Sequence, residues 1–199
     1  MRRLYRYCLE RQQPKMSWNT QNCYNIVQRK PLNERNLNLY QLEWKSKALC
    51  RLYFNGDVTE RMFKKVFNEN GRNIFDTLSA MERRVDNILF RGLFASSVFR
   101  ARQLISTGGV LVNGKPVDRP SFQVSDGDIV QIEPSKAVCA YLVSSHPMIR
   151  AWAFCPVYLE VNYATLSIVF LRKPTFVEIP NPFPKYMIDN TGAYYSKRG

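Results

Sequence analysis

Histidine is almost missing from this chain. His146 is its one example, and the five cysteines (Cys8, Cys23, Cys50, Cys139 and Cys155) include no pair with the two-residue gap of a metal knuckle. A zinc centre built from four cysteine or histidine ligands would need nearly all of these scattered side chains to converge, so no such metal centre is expected. An odd, unpatterned cysteine set suits free thiols in a reducing compartment. Acids are also short: Asp plus Glu is 16 against 29 Lys plus Arg, a net charge of +13. No apolar run approaches the roughly 20 residues of a membrane span. Catalytic constellations are lacking too. Ser96 and Ser97 have no histidine near them in sequence. Asp118, Asp126 and Asp128 sit beside Pro120 and Gly127, where turn chemistry explains them. His146 precedes Pro147 in an expected surface loop. The chain is therefore expected not to be an enzyme.

What the chain does have is a core and a charge. Hydrophobic residues make up 45% of its 199 residues, enough for one or two folded domains. A compact chain this basic gains by meeting a polyanion, whether nucleic acid, anionic membrane or an acidic protein. Nucleic acid is favoured if the basic residues share faces. If they do not, the charge is only a solvated surface.

Four stretches follow along the chain. Residues 1–40 are polar and basic, interrupted by Pro14 and Pro31, and are expected to be extended and ordered by a partner. Arg2, Arg3 and Arg6, with no acid before Glu10, suit either a mitochondrial targeting segment or an RNA-binding tail. Residues 41–80 are expected to be helical. Leu42, Leu49, Leu52 and Tyr53 share one side of a helix that Asn55-Gly56 stops, with Lys47 and Arg51 elsewhere on it. Asp57 and Glu60 then form a capping box for a second helix, with Met62, Phe63, Val66 and Phe67 inward and Arg61, Lys64 and Lys65 outward.

The next stretch carries the function. Ser79 and Glu82 form a second capping box. In the helix expected to follow, Met81, Val85, Ile88 and Leu89 fall in one arc and Arg83, Arg84, Asn87 and Arg91 in the opposite one. Ser96 or Ser97 caps another helix, whose apolar arc is Val98, Ala101, Leu104 and Ile105 and whose other side holds Arg100, Arg102, Gln103 and Ser106. Val110-Leu111-Val112, Asn113-Gly114 and Lys115-Pro116-Val117 then make a hairpin with a type I′ turn. Phe122, Val124, Ile129, Val130 and Ile132 continue as strand. Arginine suits phosphate because its planar fork makes paired hydrogen bonds. Ser96, Ser97, Gln103 and Asn113 add neutral donors and acceptors for phosphate, ribose or base edges. Beyond Glu133 the pattern loosens. A strand or two is expected over Tyr158–Leu171, then Pro174, Pro180, Pro182 and Pro184 impose an extended path, and Tyr194 to Arg198 make a basic aromatic tail.

The ordered residues Glu82-Arg83-Arg84-Val85-Asp86-Asn87, Arg91, Phe94-Ala95-Ser96-Ser97, Ala101-Arg102-Gln103-Leu104-Ile105, Val110, Val112-Asn113-Gly114-Lys115, Pro120-Ser121-Phe122 and Gly127-Asp128-Ile129 resemble the S-four RNA-binding domain. Two departures stand out: Val98 occupies a position where relatives often carry arginine, and Thr107-Gly108-Gly109 replaces a common histidine. The flanks resemble the ribosomal S-four family itself, through Arg51 to Phe63, Tyr158 to Asn162, Phe170 to Pro174 and Tyr195 to Lys197. Ser17-Trp18-Asn19 and Tyr24-Asn25 resemble the N-terminal region of its fungal-type mitochondrial members.

The resemblance implies an α+β protein: a helical N-terminal region, a compact domain over 82–133 with two helices and a small antiparallel sheet, and an extended C-terminal segment, 134–199, packing back on the helical region. It implies a structural constituent of the mitochondrial small ribosomal subunit. Such a protein would bind small-subunit rRNA, neighbour ribosomal protein S-five and line the mRNA entrance, with no cofactor. The expected RNA-binding residues are Arg83, Arg84, Asn87, Arg91, Ser96, Ser97, Arg100, Arg102, Gln103, Ser106, Asn113 and Lys115, with Lys47, Arg51, Lys64 and Lys65 in the helical region. A free S-four-domain factor acting on ribosomes or structured RNA is the alternative. Such chains usually lack the helical hairpin between Lys47 and Phe67. Enzymes that carry this domain need a catalytic domain of about 100 residues or more, for which too little chain remains.

Overall fold

A computed structural model describes residues 16–17, 38–54, 58–136, 155–180 and 183–198. The expectations for most of residues 1–37, for Asn55, Gly56 and Asp57, and for His146 lie outside these. Among the described residues the chain forms six helices and one five-stranded sheet, an α+β fold. It divides into two compact units, one running to Leu78 and resuming at Asn181, the other spanning Ser79–Pro180.

The first unit contains α1 (Leu39–Tyr53), α2 (Glu60–Glu69) and, from the far end of the chain, α6 (Lys185–Arg198). Thr59 caps α2, its hydroxyl accepting from the Met62 amide at 3.3 Å. The cap is thus Thr59, directly before Glu60, in place of the Asp57–Glu60 box that was expected. Phe63 and Phe67 are fully buried, while Met62, expected beside them, is exposed. Their rings meet Tyr195 of α6 at centroid distances of 5.0 and 5.5 Å.

The C-terminal tail expected to be extended is therefore a helix. The proline run ends at Pro184, whose carbonyl accepts from the Met187 amide at 3.0 Å. Beyond it Met187, Ile188, Thr191 and Tyr195 recur at helical spacing and are buried.

The second unit contains the end of α3 (Ile74–Glu82), α4 (Val85–Arg91), α5 (Val98–Ser106) and the sheet. The strands are β1 (Val110–Val112), β2 (Lys115–Pro116), β3 (Ile129–Ile132), β4 (Leu159–Asn162) and β5 (Ser167–Phe170), all antiparallel, in the order β2-β1-β3-β5-β4. The stretch 134–199 is thus divided. Its strands β4 and β5 extend this sheet, because Leu159, Ile168 and Phe170 complete the core with Val130 and Ile132. From the same stretch, α6 packs on α1.

One helix was expected across 79–91, and the structure has two. Arg84 lies between them with extended backbone, φ −72° and ψ 138°. The chain opens there because its backbone pairs with 122–124: the Val85 amide donates to the Phe122 carbonyl at 3.0 Å and the Val124 amide to the Arg83 carbonyl at 2.9 Å. Around Phe122 and Val124 there is accordingly a single bridge, Arg84 with Gln123, and no strand. Ser79 is interior to α3, its hydroxyl donating to the Pro174 carbonyl at 2.7 Å. Gly92 closes α4 where a Cβ would come 2.4 Å from Ile168 Cδ1, so a side chain there would require Ile168 to shift.

Candidate nucleic-acid interface

The four polar residues expected on the open side of α4 take two different places. Arg91 is 8% exposed. Its Nε and Nη2 donate to the Glu82 carboxylate at 3.0 and 2.7 Å, and Nη2 also donates to the Pro180 carbonyl at 3.1 Å. Glu82 is wholly buried and accepts a third bond from the Tyr158 hydroxyl at 2.9 Å. Arg84 is 7% exposed and grips Asp86 with Nε and Nη2 at 3.0 and 2.7 Å. Asn87 is buried, its amide nitrogen donating to the Met81 carbonyl at 2.7 Å. Arg84, Asn87 and Arg91 therefore form interior bonds where an open polar side was expected. Periodicity placed them together, but the neighbouring acids Glu82 and Asp86 draw that side inward. Arg83 differs: it is partly exposed, with Nε on the Val124 carbonyl at 3.0 Å and Nη2 3.7 Å from Asp126.

On α5 the division is the reverse. Val98, Ala101, Leu104 and Ile105 are buried in the core. Ser96, Arg100, Gln103 and Ser106 are exposed. Ser97 is the cap, its hydroxyl accepting from the Arg100 amide at 3.2 Å. Nη1 of Arg100 donates to Gln103 Oε1 at 2.6 Å, so the two side chains lie together on the open face. Arg102 leans toward α4, where its Nε meets Asp86 at 2.9 Å, and its side chain is 17% exposed. Asp86 thus joins α4 to α5 by accepting from two guanidinium groups.

The hairpin after α5 has the expected turn. Asn113 has φ 50° and Gly114 φ 76°, the left-handed pair of a type I′ turn. The Asn113 side chain is occupied within the fold: its nitrogen donates to Asp128 at 2.8 Å and its oxygen accepts from the Ile129 amide at 2.9 Å. That double bond fixes the turn on β3 and leaves Lys115 exposed beside it.

In the first unit Lys47 and Arg51 are spent on an acid. Lys47, 11% exposed, donates to Glu60 at 2.8 Å and lies 3.9 Å from the Tyr194 ring centroid. Arg51, 14% exposed, bonds the other Glu60 oxygen. These two tie α1 to α2 and line no open face, because Glu60 follows the cap directly and turns toward them. Lys65 is exposed and 3.7 Å from Glu69 one turn on. Lys64 is partly buried.

The structure adds two exposed side chains that the residue patterns did not single out. Arg119 lies in the loop after β2. Phe99 sits on the open side of α5 and is 46% exposed. A helical wheel holds that signal for Phe99, since it is four residues before Gln103 and seven before Ser106. Among the described residues no group of three acid, cysteine or histidine side chains is placed to hold a metal ion, and no helix is long and apolar enough to cross a membrane.

Known proteins match this sequence. The S4 domain family matches residues 83–130, which span α4, α5, β1, β2 and the start of β3. The small ribosomal subunit protein uS4 of Ruegeria sp. (strain TM1040) is 34% identical, over 72% of this chain and 70% of its own length. That of Ruegeria pomeroyi is 34% identical over 71% and 69%. The small ribosomal subunit protein uS4m of Schizosaccharomyces pombe is 26% identical over 98% of this chain and 81% of its own length. With the domain, the flanking helices and the C-terminal strands all carried in one chain, this protein belongs to the small ribosomal subunit protein uS4 family.

Proposed function

We propose that this chain is a structural, non-catalytic constituent of the small ribosomal subunit and binds small-subunit rRNA through the open side of α5 and the adjoining β1–β2 turn. The observation that carries this reading is the division of α5. Its apolar side is sunk in the core, while Arg100, Gln103 and Ser106 stay exposed in a chain of net charge +13. Phosphate contacts from arginine and lysine supply affinity, and Gln103 and Ser106 suit ribose and base edges. Ser96, Lys115, Arg119 and the partly exposed Arg83 and Arg102 extend the same interface.

Placement in mitochondria is supported by the fungal uS4m relative, whose match spans 98% of this chain. A position beside S-five at the mRNA entrance follows from the family resemblance of the flanks and belongs to the same proposal.

Sedimentation tests the reading. Tagged full-length protein from isolated mitochondria is expected to travel with small subunits and to stay with them through a high-salt wash. Release at high salt would assign a transient factor, and absence from mitochondria would overturn the placement.

A further inference from the structure

An exposed phenyl ring sits in the middle of the polar side of α5. Phe99 is 46% exposed, whereas Val98 beside it and Ala101 and Ile105 further along the helix are fully buried. The core is closed without it. Isolated apolar side chains on a surface are ordinary, but the setting of this one is specific. The exposed residues of α5 and its approach are Ser96, Phe99, Arg100, Gln103 and Ser106, so the ring is flanked by hydrogen-bonding groups. Gln103 lies one turn beyond Phe99 and holds the Arg100 guanidinium at 2.6 Å, which keeps a planar cation on the ring's side of the helix. Phe99 is also in the first turn of a nine-residue helix that has no acid there, so the positive end of the helix dipole is uncompensated.

We propose that the Phe99 ring is a stacking platform for one unpaired RNA base, with Arg100 engaging the phosphate next to it. The proposal rests on the RNA-binding reading above and narrows it. Within a continuous A-form duplex each base has both faces covered by its neighbours, and a phenyl ring on a helix cannot reach one. A bulge, loop or junction leaves a base free to stack on an aromatic side chain. Stacking accepts any base, whereas Arg100 and Gln103 add backbone and edge contacts. The ligand class is therefore RNA with an unstacked nucleotide bordered by paired stem, in preference to plain duplex. Aromatic rings bordered by basic groups also occur where proteins meet, and the test separates that case.

The test uses the full chain and two RNA hairpins that differ by a single bulged fluorescent adenine analogue. The bulged hairpin is expected to bind about ten- to a hundredfold more tightly and to show altered fluorescence on binding. Phe99→Ala removes both the preference and the fluorescence change at an unchanged melting temperature. Phe99→Trp restores both, and Phe99→Leu restores neither. Equal binding of the two hairpins by the native chain, or a preference that survives Phe99→Ala, overturns the stacking role and leaves the RNA-binding reading standing. If Phe99→Ala spares RNA binding but frees the protein from small subunits, the ring belongs to a protein neighbour and the proposal fails. If neither hairpin binds, the underlying RNA-binding reading itself has failed.

Discussion

Helices α4 and α5 look alike in sequence and differ in use. Each has an apolar arc and an opposite side rich in arginine. In α4 that side is interior: Arg84 and Arg91 are closed on Asp86 and Glu82. In α5 the same side is open, and Arg100 is exposed with Gln103 beside it. Acids make the difference. Glu82 precedes α4 and Asp86 stands in its first turn, and each accepts from more than one donor, whereas α5 contains no acid of its own. An arginine row announces a helical side, and whether water or protein covers it depends on what can neutralise it. Arg102 stands between the cases, on α5 in sequence but joined to the α4 acid.

The comparison is broken most sharply at Arg91. Arg91→Ala leaves Glu82 charged, buried and short of its main partner, a change expected to cost about 3–5 kcal/mol. Urea denaturation followed by circular dichroism should show it, and a midpoint near that of the native chain would mean the α4 arginines are surface groups after all. Gly114→Val comes next. A Cβ there has no atom within 4 Å, so only the left-handed φ of 76° resists it. The strain is expected to be about 1–3 kcal/mol, with the helices intact and RNA affinity reduced because Lys115 shifts. A thermal melt superimposable on the native one would remove the turn from the account.

The smallest effect concerns pH. Bidentate hydrogen bonds from Arg172, and then the Thr175 amide, lower the Glu178 carboxyl from its ordinary 4.5 to about 2. A depressed carboxyl stabilises the fold above its unfolded value and loses that contribution as pH falls through its folded one. The turn at Phe176–Glu178 should therefore hold at pH 5 and loosen progressively between about 4.5 and 2. NMR titration of Glu178 checks this, and a midpoint at the ordinary value would mean the pair does not persist in solution.

What was legible in the sequence was local. Asn113-Gly114 specifies its turn with two residues, Ser97 caps α5 through a neighbour three positions on, and the apolar arc of α5 needs no knowledge of the rest. The interior role of Arg91 was illegible because Glu82 is completed by the Tyr158 hydroxyl from 76 residues away. The break at Arg84 depends on pairing with Gln123, also remote. The helix beyond Pro184 was illegible because its buried side chains, Met187, Ile188 and Tyr195, find their partners in elements remote in sequence. Phe99 is legible on the helical wheel, where it shares the polar side of α5 with Gln103 and Ser106.

On the proposed function, charge reaches RNA from α5 and the hairpin, not from α4. The direct measurement is the affinity of the full chain for small-subunit rRNA across a salt series, for the native protein and for Arg100→Gln with Lys115→Gln. If about five phosphates are neutralised, the native slope of log affinity against log salt is near −3 to −5, and the double variant should be shallower by roughly 1 to 2. Its stability should stay within about 0.5 kcal/mol of native, since both side chains are exposed. An unchanged slope and affinity in the double variant would contradict the account and move the interface elsewhere on the molecule.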